Sequence, residues 1–338
     1  MTHAASPPRA PLVAIRRRLQ YYRRIIATYI LRRPSQITEW HEEPEVNDSF
    51  SPSKIGEYYT PCIAKADYSG KYDAKGIPLL NYGGHVGLQH SPAAIAEYGL
   101  GNYNLFCRMG DPGRRRRFLL VADWLVANLE ENSAGLWVWN YHFDWDYRTL
   151  LKAPWYSALA QGLGLSLLVR AHRETDRSAY LEAAERSFET FLKTTDEGGV
   201  SYIDGKGYTW LEEAVIDPPT HVLNGFVWAM WGVYDYYLYT RSREAERLFA
   251  ETVRTLKDNL HRFDVGFWSL YELSGSRMKM LASPFYQRLH IVQLSVMHRL
   301  TGEPVFAKFA RRWELYRRSR TKRAVALGCR ALFKLVHY

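Results

Sequence analysis

At 338 residues with 47% apolar side chains, the chain can bury a substantial core as one large or two smaller domains, which excludes disorder as its main state. Aromatics make up 14%, including 24 Tyr and 11 Trp, a supply of flat rings with polar handles that suits either a generous core or the stacking of sugars and other rings. The pI near 9.4 comes from the ends: residues 1–34 hold eight Arg and no acid, residues 311–338 carry a net +8, and with +10 overall the body is acidic, against a nucleic-acid groove.

In chain order, the first segment, 1–45, is a basic extension with a helical stretch, RRRLQYYRRIIATYILRR. Its apolar run is too short for a signal peptide, and no stretch reaches the 18 apolar residues of a membrane span. Its pattern, shared with the basic helix at 319–338, predicts either peripheral contact with an anionic membrane or a solvated helix packed on the body. Three cysteines (62, 107, 329) without metal-ligand spacing are expected to be reduced thiols, which points to a cytoplasmic protein, at the inner membrane surface if the tails dock there. Residues 46–90, with scattered Gly, Pro and Tyr, predict a loop and hairpin layer.

Residues 91–318 carry an internal repeat. Pro154, Pro219 and Pro284 are 65 residues apart and Pro92 precedes Pro154 by 62. Each opens an apolar, Gly- or Ala-rich helix, with the proline expected at its first position and Ser91 and Ser283 as caps. A second, amphipathic helix follows each, over 114–130, 178–194, 243–260 and 303–318. Inner buried and outer amphipathic helices repeated four times predict a mainly α fold, an incomplete α/α toroid of four helix pairs; a rod of stacked pairs is the rival. The linkers 131–153, 196–218 and 262–282 begin with Gly and an aromatic alternation, so short β-hairpins are expected there. All enter an inner helix at its N-terminus, so they should gather at one rim, with 50–90 covering that end.

The rim collects Glu212, Glu213, Tyr271, Tyr286, His290, Arg288, Asn224, Trp155, Tyr156, Gln161 and Trp228. Carboxylates, phenols and aromatic platforms are the make-up of a carbohydrate site. No Gly-rich phosphate loop, HExxH or Cys–His cluster is visible, so neither a metal nor a cofactor is expected. Blander readings stand beside these: paired glutamates complement a helix dipole, and His290 inside an apolar helix is ordinarily a core histidine.

The stretches PWYSALAQGLGLSLLVRA, LEE followed by VLNGF, SLYEL and FYQRLHIVQL resemble the C-terminal catalytic domain of glucuronyl C5-epimerases, over about residues 75–318. The resemblance implies an α/α toroid that converts D-glucuronate to L-iduronate within a heparosan-type polymer. It places the catalytic glutamate on Glu213, the two key tyrosines on Tyr271 and Tyr286, and a substrate-contacting asparagine on Asn224. The family usually has Tyr after the second glutamate, where this chain has Ala214, and the animal enzymes' preceding β-rich domain has no room here. On this reading Glu213 serves one face of the sugar and Tyr286 the other, with Tyr271 as a donor. Burial should raise the Glu213 carboxyl, and a nearby Arg or helix N-terminus should lower a tyrosine. Arg277 or Arg288 is expected to neutralise the substrate carboxylate. The partner implied is an anionic glucuronate-containing polysaccharide, and a homodimer is a further expectation. Rival functions are a uronate lyase, an inverting hydrolase pairing Glu213 with Glu212, Asp144 or Asp146, and an inactive glycan-binding toroid.

Overall fold

A computed structural model describes residues 43–275 and 278–337. Among them, the inner helices are α2 (Pro92–Met109), α4 (Ala158–Thr175), α6 (Leu223–Thr240) and α8 (Pro284–Thr301), and each is 18 residues long. Their outer partners are α3 (Pro112–Ala127), α5 (Ser178–Phe188), α7 (Arg243–Asn259) and α9 (Pro304–Arg318). The fold is the α/α toroid of four helix pairs. Preceding it are a single helical turn, α1 (Ile63–Ala66), and a sheet of β1 (Lys71–Tyr72), β2 (Pro78–Asn81) and β3 (Leu88–Gln89), antiparallel in that order. Closing the chain is the basic helix α10 (Arg320–His337).

The repeat is written into the helix ends. Ser91, Ser157 and Ser283 each accept a hydrogen bond from the backbone N–H three residues on, which satisfies one orphan donor of α2, α4 and α8. Each inner helix stops at a left-handed residue: Gly110, Asp176, Arg241 and Gly302. Pro92 and Pro284 occupy the first helical turn as expected. The other two differ. Pro154 and Pro219 precede their helices by four residues, because Ser157 takes the capping role in α4 and Val222 stands at the start of α6. The inner helices touch closely where glycine permits it. A Cβ on Gly162 would lie 2.6 Å from Ala229 Cα, and one on Gly232 would lie 2.2 Å from the Gly162 carbonyl oxygen, so α4 and α6 meet backbone to backbone.

The linkers form hairpins as the aromatic alternation suggested, with one exception. Strands β4 (Glu130–Glu131) and β5 (Trp137–Val138), then β6 (Trp145–Asp146) and β7 (Leu150–Leu151), fill the first linker. Strands β8 (Ser201–Ile203) and β9 (Thr209–Leu211) fill the second. The third is held only by isolated bridges, Asp264 with Ser269 and Leu270 with Leu281.

Of the expected cap over the rim, residues 60–63, Lys65 and residues 80–82 do line a cavity there, while the segment 47–59 departs from it. That segment runs as a strap past the inner helices, from α8 to α6 to α4 to α2. Arg299 of α8 pairs with Asp48 at 2.7 Å, and Tyr234 of α6 donates to the Pro52 carbonyl at 2.7 Å. Arg170 of α4 donates to the Gly56 carbonyl at 2.9 Å, and Asn104 of α2 donates to the Thr60 carbonyl at 2.9 Å. These partners lie in the C-terminal halves of their helices, so this strap closes the end away from the rim. It drives Tyr58 and Tyr59 inward against Trp228 and Trp231. There Arg170 and Asp235, both about 1% exposed, form an ion pair at 2.6 Å, and the Tyr59 hydroxyl donates to the other Asp235 oxygen at 2.7 Å.

Helix α10 packs through Ala326 and Phe333, and Val325, Leu327 and Leu332 face outward. Among the described residues no helix is long and apolar enough to cross a membrane. The basic segment 1–34 lies outside the described residues.

Candidate active site

A cavity of about 570 Å³ opens at the N-terminal ends of the inner helices, within the size range of small-ligand sites. Its walls come from the linkers, the first turns of the helices, and the 43–94 segment. Of the residues picked from sequence, Glu213, Tyr271, Tyr286, Asn224, Trp155 and Trp228 line this one space.

Glu213 follows β9 in a loop that its neighbour anchors. The Glu212 carboxylate is fully buried and accepts from the backbone N–H groups of Thr220 and His221, at 3.3 and 3.1 Å. The Glu212 carbonyl also accepts from Ala158 N, tying the loop to α4. With one glutamate clamped, the next projects into the cavity. Gly225 makes room for it, since a Cβ there would stand 2.1 Å from Glu213 Oε2 and 2.7 Å from Glu213 Cβ. The Asn224 amide donates to Glu213 Oε2 at 3.4 Å, while Asn224 Oδ1 has no partner among the described residues.

Electrostatics follow from that setting. Desolvation pushes the Glu213 carboxyl up to about 8, with the negative Glu272 adding to the rise and a hydrogen bond from Tyr271 opposing it. Tyr271 is raised well above its ordinary value, first by burial and then by the Glu213 charge. A lowered tyrosine was expected; for Tyr271 the direction is reversed, because burial first and the Glu213 charge second both favour the neutral phenol. The Tyr271 and Tyr286 rings meet edge to face with centroids 4.8 Å apart. Opposite, Trp155 stacks on Tyr141 at 4.0 Å and Tyr82 leans on Phe143 at 4.5 Å, which makes an aromatic wall.

Several other expected contacts do not line the cavity. Gln161 is fully buried and accepts from Trp139 N at 2.9 Å; its repeat counterpart Gln287 accepts from Ser269 N at the same distance. Each sits fourth in its inner helix and latches the backbone of the preceding linker, so Gln161 is part of the repeat and not a sugar contact. The Tyr156 hydroxyl donates to the Gly198 carbonyl at 2.7 Å. Fully buried His290 shares a 2.9 Å hydrogen bond with Ser269, and desolvation lowers it to about 3, so it is a neutral core histidine. Glu212 is consumed as the clamp. Arg288 is held by the Pro44 carbonyl at 3.1 Å and by Glu43 and Glu314, outside the lining residues. Arg277 lies outside the described residues.

Sequence reasoning missed another group. The Tyr147 hydroxyl and Arg148 guanidinium both donate to the Glu272 carboxylate, Arg148 Nε at 2.7 Å, and pin the β6–β7 hairpin to the third linker. It also missed Lys65 and Glu97, an ion pair in the cavity wall. The sequence spacing holds no signal for either, since their partners are 125 and 32 residues apart. Among the described residues, no group of three or more His, Cys, Asp or Glu is arranged to hold a metal ion.

Comparison with known proteins follows the same region. An uncharacterized protein of Methanocaldococcus jannaschii is 26% identical over 257 residues, 70% of this chain and 82% of that one. D-glucuronyl C5-epimerase of Caenorhabditis elegans is 31% identical over 212 residues, 58% of this chain, and the match spans 34% of the nematode enzyme. Among solved structures, endo-beta-1,4-glucanase from Acetobacter xylinum is similar at a TM-score of 0.47, with 14% identity and 77% of each chain covered. The family described as D-glucuronyl C5-epimerase C-terminus matches residues 131–315, more than half of the chain and all three inter-pair linkers. By that match, the chain belongs to the D-glucuronyl C5-epimerase C-terminal family.

Proposed function

We propose that this protein is a carbohydrate-modifying enzyme, and that it inverts C5 of D-glucuronate residues to L-iduronate within an anionic polysaccharide. The observation that carries the reading is Glu213: a carboxyl raised to about 8 beside two phenols in one sugar-sized cavity. Such a group holds a proton near neutral pH yet can lose it, which is what acid–base work on a weak carbon acid requires.

C5 bears a hydrogen next to the carboxylate. One group removes that proton, and its electron pair moves into the carboxyl group as an enediolate dianion. The second group then delivers a proton to C5 from the opposite face, so bonds and charge balance without redox. Glu213 serves one face and Tyr286 the other, and they exchange roles between the forward and reverse directions. Tyr271, whose phenol stays protonated well above neutral pH, donates toward the developing charge. Asn224 Oδ1 accepts from a sugar hydroxyl, and Trp155 offers a ring face to the chain. Solvent refills the two groups between turnovers, so epimerisation in heavy water must place deuterium at C5.

The hydrolase alternative loses its partners: Glu212 is clamped, and the exposed Asp144 and Asp146 are not among the lining residues. A lyase would share the first proton transfer, and its products carry unsaturated ends that absorb in the ultraviolet.

The test is NMR of a heparosan-type polymer in heavy water. The glucuronate C5 proton signal should disappear, with neither unsaturated nor new reducing ends, and Tyr286→Phe should slow this by roughly 10²–10⁴. Exchange at the wild-type rate in that variant would remove Tyr286 from the mechanism. Gly225→Ala supplies a subtler check. The added methyl must push Glu213 aside, and a shift of about 1 Å costs on the order of 10²-fold in rate, while the circular dichroism spectrum stays that of the parent and the overpacking lowers stability by only about 1–3 kcal/mol. An undiminished rate would show that the Glu213 position is not critical.

A further inference from the structure

From Arg320 to His337, helix α10 holds five Lys or Arg and no acid. It lies along the third linker, at the end of the toroid that carries the cavity. The Lys322 ammonium donates to the Gly266 carbonyl at 3.3 Å, and the Arg330 guanidinium donates to the Leu281 carbonyl. Ala326 and Phe333 face the body and are buried. A helix fastened along one side is ordinarily polar on the other. This one is not. By helical spacing Ala324, Gly328 and Ala331 point away from the body. Val325 and Leu332 stand on one flank of that line and Leu327 on the other, and these three are 40–57% exposed. Every exposed residue from 324 to 332 is uncharged. Arg320 and Arg323 are exposed at the N-terminal turn and pair with no acid among the described residues.

The charge around this apolar face selects what can cover it. A second copy would lay a helix with five cations and no acid against its like. The chain's own segment 1–34 holds eight Arg and no acid, so it carries the wrong sign as well. Glu314, the one acid between 311 and 338, is already held by Arg317 and Arg318 at 2.8 and 2.9 Å. The cover must therefore be negative. It must also accept a shallow surface, because small residues run along the centre of the face and the large ones spread over a wide arc, unlike the narrow row of anchors that fills a protein groove. A bilayer with anionic lipids meets both demands. Apolar side chains enter the boundary between headgroups and acyl chains, while bordering arginines keep their charged ends among the phosphates.

We infer that α10 is a membrane-surface helix, which lies on an anionic bilayer with Val325, Leu327 and Leu332 at the headgroup boundary and Arg320 and Arg323 against lipid phosphates. Because α10 runs along the third linker, docking holds the cavity end of the toroid at the membrane. The inference stands apart from the reaction proposed above, since no residue of this face lines the cavity.

The experiment is cosedimentation of the full chain with vesicles of equal parts phosphatidylglycerol and phosphatidylcholine, and with vesicles of phosphatidylcholine alone. The wild type should pellet with the first and stay largely in solution with the second. Val325→Gln with Leu327→Gln and Leu332→Gln keeps every cation and should lower partitioning about a hundredfold. Arg320→Gln with Arg323→Gln keeps the apolar face and should lower it roughly ten- to thirtyfold. All five side chains are exposed, so both variants should melt with the parent. Wild-type protein left in solution with both kinds of vesicle would overturn the inference. So would a triple variant that pellets like the wild type, which would put binding elsewhere in the chain. Sedimentation velocity without lipid covers the remaining occupant: a dimer that the triple variant dissolves, with no vesicle binding, would give the face to a second copy. C5 exchange on soluble polymer should be equal in all three proteins, and its absence from all of them would sink the epimerase reading while leaving the docking result in place.

Discussion

Glu213→Gln should abolish C5 exchange, by a factor of about 10³ or more, and at the same time make the protein more stable at pH 8. The two effects share one cause. Desolvation and the charge of Glu272 raise the Glu213 carboxyl from its ordinary value near 4.5 to about 8. The folded state therefore holds that proton more tightly than the unfolded chain does. Stability from this group is complete below about pH 4.5, declines as the pH rises toward 8, and is flat beyond it. A neutral, isosteric amide does not pay that ionisation cost. The gain should be roughly 2–4 kcal/mol at pH 8, discounted because the carboxyl keeps an open side to the cavity, and should shrink to nothing near pH 4. Thermal melts of both proteins from pH 4 to 9 test this directly. Parallel curves across that range would mean that Glu213 titrates as an ordinary carboxylate, and the acid–base role argued for it would lose its physical basis.

Arg170→Met should destabilise the fold by about 3–5 kcal/mol, because Asp235 is then left charged and unpaired in the core. For a chain of this length that is a fall of roughly 4–7 °C in melting temperature. Asp235 holds Tyr59 as well as Arg170, and burial followed by the Asp235 charge keeps the Tyr59 phenol protonated. The loss should therefore release the strap from the closed end of the toroid, read as faster amide exchange over 55–60. Combining Arg170→Met with Asp235→Leu should recover much of the stability, since an apolar pair removes the stranded charge. If the single variant melts with the parent, the strap is held by apolar packing of Tyr58 and Tyr59 alone.

Much of the toroid was legible in the sequence for local reasons. A proline or serine at three of the four inner-helix starts, an apolar inner face and a polar outer one repeat with a period near 65, and each is a statement about residues within a few turns of one another. The exceptions, Pro154 and Pro219, show the limit of reading a single signal: a serine cap outcompeted one proline, and helix α6 began without a side-chain cap at all. At the rim, proximity to a linker end was enough to select Glu213, Tyr271, Tyr286 and Asn224 as neighbours. It was not enough to say which way each side chain turned.

Glu212 and Glu213 make the point most plainly, being adjacent and identical. The first is clamped by two backbone N–H groups and the second projects beside Gly225, which is a decision taken by the loop's closure and not by either residue. Gln161 and His290 likewise turned inward to serve linkers from neighbouring pairs.

What the sequence alone determined, then, is the number of helix pairs, their inner and outer faces, and the end at which the linkers meet, because periodicity and capping are short-range. The tertiary structure decided the strap across the far end, the Tyr147–Arg148–Glu272 group and the raised carboxyl. Each of these depends on burying a polar group against a partner tens to hundreds of residues away, and such a match leaves no periodic trace in the chain.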